Sequence, residues 1–175
     1  QMCIRDRDNS TVSITQTGSG NMFGDPNSLT IPQFTIDGNN MNLTVNQDGM
    51  NNSITGNFIG GDSTANINQT GNSNSTVLNY GSMGSNGGTL GININGSSNT
   101  TTLNVGTTAD ASNYNYNLTI GSSSSSANNN TVTSTINSKN VTTSIAIAGN
   151  SNAITTNQSG GSGHTINTNV IGNSN

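Results

Sequence analysis

STANINQTGNSN, residues Ser63–Asn74, alternates up to its glutamine and then breaks at a glycine. Successive residues of a β-strand point to opposite faces, so Ser63, Ala65, Ile67 and Gln69 share one face and Thr64, Asn66 and Asn68 the other. Aliphatic residues on one side and small polar ones on the other, with a period of two, predict a half-buried strand and argue against a helix. Gly71 predicts a tight turn, because it lacks the Cβ that restricts other residues. Asn74 then opens a second strand, in which Asn74, Thr76, Leu78 and Tyr80 share a face.

The unit recurs on both sides. Ser10–Asn21 reads STVSITQTGSGN and Met41–Asn52 reads MNLTVNQDGMNN. The three copies share Gln-x-Gly-x-x-Asn as Gln16/Gly18/Asn21, Gln47/Gly49/Asn52 and Gln69/Gly71/Asn74, and Ser10 and Ser63 each stand six residues before the glutamine. Weaker copies occur further along, through Gly96-x-x-Asn99, Gly149-x-x-Asn152 and Gly172-x-x-Asn175, and through a pair of strands around Leu118 and Val132. At the glutamine position these carry Ile94, Ile120, Ile147 and Val170. Repeats of 22 to 25 residues that cannot each bury an apolar face predict stacked rungs, so the expected fold is an all-β solenoid of about six strand–turn–strand repeats. Insertions are expected near 24–36, where Pro26 and Pro32 interrupt pairing, and near 121–129. The last rung, from His164 to Asn175, has one strand only. The expectation is that the natural protein continues with a second, and that this open edge templates association.

Composition narrows the function. Apolar residues are 27% and charged residues 6%, both far below the averages of globular domains, while Asn alone is a fifth of the chain. Uncharged polar side chains stack on their own copies without repulsion, which suits amide ladders. Net charge is −4, every acid is Asp, and the cations are Arg5, Arg7 and Lys139, too few to neutralise a nucleic-acid backbone. No run reaches the length of a membrane-spanning helix. The opening QMCIRDR holds the single cysteine, Cys3, and two of the three cations. It differs so sharply from the remainder of the chain that residues 1–8 are read as a non-native leader before a repeat region of 9–175.

The spacing resembles the curlin repeat, written Ser-x5-Gln-x-Gly-x2-Asn-x-Ala-x3-Gln. Ser10/Gln16/Gly18/Asn21 and Ser63/Gln69/Gly71/Asn74 fit its first half, and Asn152-x-Ile154-x3-Gln158 fits its second half with Ile for Ala. As periodicity the resemblance covers most of Asn9–Asn175. It implies a subunit that is secreted unfolded and polymerises outside the cell into amyloid fibres of a biofilm matrix that adhere to surfaces. Its partners would be further copies of itself, a nucleator subunit and an outer-membrane secretion pore. The residues expected to form the stacking ladders are Ser10, Gln16, Gly18, Asn21, Gln47, Gly49, Asn52, Ser63, Gln69, Gly71, Asn74, Gly96, Asn99, Gly149, Asn152, Gln158, Gly172 and Asn175.

Other chemistries have little to build on. Acid–base pairs and nucleophilic triads need neighbouring carboxylates or histidines, and the chain has one histidine and no glutamate, so no catalytic residue and no cofactor is expected. His164 falls in the slot that Ser10 and Ser63 occupy and reads as a rung-edge side chain. Gly60-Gly61-Asp62 has the outline of a calcium-binding β-roll repeat but occurs once, so Asp48 and Asp62 read as solvated turn residues and no metal is expected. Glycosylation triplets at Asn42, Asn74, Asn99, Asn117 and Asn140 follow from composition. Two rival functions remain: a monomeric solenoid adhesin or phage-fibre segment binding a receptor or glycan through loops at 81–88 and 121–129, and an ice-binding solenoid using outward Thr11, Thr15, Thr44 and Thr64.

Overall fold

The computed structural model describes residues 2–5, 9–24, 34–71, 73–81, 86–96, 98–106, 112–121, 129–149, 151–172 and 174. They form fourteen strands and no helix: β1 (Met2–Arg5), β2 (Thr11–Thr17), β3 (Phe34–Asp37), β4 (Asn42–Asp48), β5 (Ile54–Ile59), β6 (Ser63–Thr70), β7 (Thr76–Tyr80), β8 (Asn86–Asn95), β9 (Thr101–Val105), β10 (Ser112–Ile120), β11 (Val132–Asn137), β12 (Thr142–Ala148), β13 (Ile154–Ser159) and β14 (Thr165–Ile171). Odd strands make one seven-stranded parallel sheet in the order β1 to β13, and even strands make another from β2 to β14. Each strand pairs with the one two places along the chain, so the backbone winds as a β-solenoid, as the repeats predict.

Two sheets facing each other bury alternate residues of every strand. In β4 the pattern runs exposed, buried, half-buried, buried, exposed, buried, exposed, with Leu43, Val45 and Gln47 inside. Parallel in-register pairing then stacks like on like: Val12, Leu43, Ala65, Leu90, Tyr116, Thr143 and Ile166 form one inward file, and Ile14, Val45, Ile67, Ile92, Leu118, Ile145 and Thr168 the next. Facing them, Leu78 and Leu103 stack in register. Phe34 and Ile36, expected in the first insertion, belong to β3 and are fully buried, because they alternate with Thr35 and Asp37 like the inward pairs of other strands. Residues 25–33 and 122–128, the rest of the two insertions, lie outside the described residues. Met2–Arg5, set aside as leader, pairs in parallel with β3.

Aromatic side chains fill the middle of the stack where glycines make room. Tyr80 packs against Phe58 at 5.4 Å and edge-on against Tyr114 at 5.5 Å. A methyl group on Gly88 would lie 2.6 Å from the Tyr80 hydroxyl, and one on Gly81 would lie 2.5 Å from that of Tyr114. The Tyr80 hydroxyl donates to the Ser63 carbonyl at 2.6 Å, closing one of the few polar groups of the core. Burial, with Tyr114 adding to it, pushes the Tyr80 phenol well above its ordinary value, and burial does the same for Tyr116. The folded state therefore holds phenolic protons that the unfolded chain releases above about pH 10. Stability is full below that value and falls as pH rises beyond it. Tyrosinate absorbance from Tyr80 and Tyr116 should accordingly appear together with loss of β circular dichroism; free titration of these two in an intact fold would contradict the packing.

Candidate functional site: stacked amides and open edges

A ladder of carboxamides runs the length of the solenoid at one corner. Asn52 donates through Nδ2 to Asn21 Oδ1, Asn74 to Asn52, Asn99 to Asn74, Asn130 to Asn99 and Asn152 to Asn130, at 2.5–2.8 Å. All six asparagines are at most 6% exposed. The second proton of each amide that follows a Gly-x-x spacing turns back to the carbonyl three residues earlier, at 2.6–3.1 Å, on Gly18, Gly49, Gly71, Gly96 and Gly149. One side chain thus closes its own turn and joins it to the turn before. A buried carboxamide left unbonded costs about 1–3 kcal/mol, so the ladder penalises any slip in register.

The glycines of the same corner stack with it. A Cβ on Gly49 would overlap the Gly18 carbonyl oxygen, and the same holds for Gly71 on Gly49, Gly96 on Gly71 and Gly172 on Gly149. Gly18 and Gly71 have φ of +121° and +131°, but Gly49, Gly96 and Gly172 do not lie in the left-handed region. The motif glycine is therefore required by close approach of one turn to the next, and only in some copies by the turn conformation that the sequence suggested.

Glutamines stack over a shorter distance. Gln16 donates to Gln47 Oε1, and Gln47 donates to Gln69 Oε1 at 3.1 Å. Gln69 then turns across the core to Thr76 Oγ1 at 2.5 Å and the Ser75 carbonyl at 3.3 Å. Its register partner is Ile94, where the file becomes aliphatic. Replacing Gln69 by alanine should destabilise the fold more than replacing Asn68, because Gln69 is fully buried and Asn68 is exposed. Its removal strands the Gln47 and Thr76 partners at about 1–3 kcal/mol, against about 0.5 for a surface change. Equal denaturation midpoints for the two variants would show that the glutamine file does not hold the core together.

Three expected ladder members stand elsewhere. Gln158 lies on the odd sheet opposite Ile136, away from the other glutamines, and donates to Thr143 Oγ1 at 3.3 Å. Ser10 and Ser63 do not touch, since parallel pairing puts Met41 between them. Ser63 Oγ accepts the Met41 amide at 3.1 Å and donates to the Gly61 carbonyl at 2.9 Å. Asn175 lies outside the described residues. Conversely Asn130 joins the ladder although no glycine precedes it by three. Its signal is the Asn-x-apolar spacing to Val132, shared by Asn52/Ile54 and Asn152/Ile154. Asn74 and Asn99 are buried in the ladder, so their glycosylation triplets are closed to modification.

The stack ends on unpaired strands. Among the described residues β13 and β14 are the last strands of their sheets and β2 is the first of the even sheet. Ile166, expected in the core, is 46% exposed: its register places it on the inward face beside Thr143, but no described strand lies opposite to cover it. Ile171 is 60% exposed on the outer face. Asn152 Oδ1, the last ladder acceptor described, is buried without a hydrogen-bond partner, and so are both ring nitrogens of His164. Asp48, expected in a turn, is the exposed last residue of β4, and Asp62 is exposed in the bend before β6. Among the described residues no three His, Cys, Asp or Glu come together to hold a metal, and no helix is long and apolar enough to cross a membrane.

No protein-family model, no curated protein and no solved structure matches this chain.

Proposed function

We propose that this chain is a secreted structural subunit that self-assembles, end on end, into extracellular curli-like amyloid fibres serving matrix cohesion and surface adhesion. The observation that carries the reading is the ladder of asparagine-to-asparagine bonds from Asn21 to Asn152, which ties successive turns of two parallel, in-register sheets together. The ladder is polar: every amide donates toward the N-terminal side and accepts from the C-terminal side. Copies stacked head to tail would continue both sheets and keep every asparagine of the ladder donating in one direction. A head-to-head contact would bring acceptor against acceptor. The curlin-like spacing supports the same reading, and with it a nucleator subunit and an outer-membrane secretion pore as partners.

The test is direct. The chain lacking residues 1–8 should bind thioflavin, form fibres in negative-stain microscopy and give a diffraction spacing of about 4.7–4.9 Å along the fibre axis. Adding a proline- and lysine-bearing segment after Asn175 should suppress elongation at that end, because neither residue type extends a sheet edge readily. If capped and uncapped chains both sediment as monomers, the assembly reading fails and a monomeric adhesin takes its place.

A further inference from the structure

Outside the core, the odd sheet carries a second amide ladder that the assembly reading does not use. Asn79 donates to Asn57 Oδ1 at 2.7 Å and Asn104 to Asn79 Oδ1 at 2.8 Å, on the outward face of β5, β7 and β9. Beside it, at the carboxyl ends of these strands, lies an open trough of about 490 Å³. Gly81 and Gly106, which follow β7 and β9, are among its lining residues. Ile59 closes one end, and Thr135 and Asn137 of β11 close the other. Two depressions on the opposite sheet are smaller, about 220 and 240 Å³, below the roughly 300–1,000 Å³ of small-molecule sites.

We propose that this trough binds a short segment of a neutral saccharide. None of its described lining residues is charged, so neither an anion nor a cation finds a counter-charge. A carboxamide has two donor protons and an oxygen with two lone pairs. The ladder bond between neighbours uses one of each, which leaves Asn79 one donor proton and one acceptor lone pair that the ladder does not use. Hydroxyl groups both donate and accept, and a row of them matches amides that repeat with the strand spacing of about 4.8 Å. Ile59, half-buried at the edge of the trough, supplies an apolar side chain for the C–H face of a sugar ring. The amides are held in place by each other, so little conformational entropy is lost when a ligand binds.

The probes are maltotriose, cellotriose and chitotriose, titrated calorimetrically against the soluble chain and against sedimented fibres. Binding of at least one is expected in both states, since the trough uses neither sheet edge. Thr135→Trp leaves the ladder intact and fills the trough, and should weaken binding about tenfold or more; Asn79→Leu, which removes the central amide, should do the same. Asn117→Ala, an exposed amide on the opposite sheet, should leave it unchanged. No binding by the native chain, or equal affinity in native and Thr135→Trp chains, or equal weakening by Asn117→Ala, would overturn the proposal. Fibre formation by a chain that binds no saccharide would sink this inference while leaving the assembly reading standing.

Discussion

Gly96→Ala should lower the unfolding free energy by about 3 kcal/mol or more, while Gly91→Ala, five residues earlier on the same rung, should be neutral or slightly stabilising. Both glycines have ordinary backbone angles, so neither substitution is strained by φ. At Gly91 the new methyl would face outward with the Asn66 carboxamide oxygen at 3.1 Å, an end that can move. At Gly96 it would overlap the Gly71 carbonyl oxygen, which is backbone held between two rungs, and would also crowd Asn74 Oδ1 at 3.0 Å. Relief requires separating adjacent turns, which breaks the Asn99–Asn74 amide bond and the strand pairing of β6 with β8 together. Denaturant unfolding of the two variants checks this. Similar midpoints would mean that the turns are not in contact as described.

The second large effect is expected in the middle of the ladder. Asn74→Ala removes the donor to Asn52 Oδ1 and to the Gly71 carbonyl, and the acceptor of the Asn99 amide. Two buried amides and one half-buried carbonyl lose a partner, so the cost should be about 2–5 kcal/mol even after water reaches some of them. Asn79→Ala breaks a ladder of the same geometry on the half-buried outer face, where solvent replaces the lost bonds, and should cost about 1 kcal/mol or less. The ratio between the two is the informative quantity. Comparable losses would show that the inner ladder is as wet as the outer one.

Much of this architecture was legible before any coordinates. Alternation at Leu43, Val45 and Gln47, or at Ala65, Ile67 and Gln69, is enough to assign an inward face, because a strand has no intermediate direction in which to point a side chain. Stacking followed from repeats too short to bury themselves. Less legible was which amide would persist. Gln16, Gln47 and Gln69 looked equal in rank to the asparagines, and Gln47 and Gln69 likewise bond both a neighbouring rung and a serine carbonyl past their own turn, yet their file stops at Ile94, where an aliphatic side chain takes the same inward site. The exposure of Ile166 also escaped the pattern, since alternation names a face but not the strand that covers it. The outer trough had no sequence signature at all. It arises from register, which brings Asn57, Asn79 and Asn104 into line only after chain segments of unequal length have been wound past one another.

That unequal winding has a wider consequence. Successive ladder asparagines are 31, 22, 25, 31 and 22 residues apart along the chain, yet each is one hydrogen bond from the last. Height along the axis is thus indexed by the number of asparagines passed, and contour length between them is free to vary. A foreign peptide spliced into 122–128 would lengthen the chain without shifting any later rung. The protein works as a ruler whose marks are amides, with room between marks for inserted text.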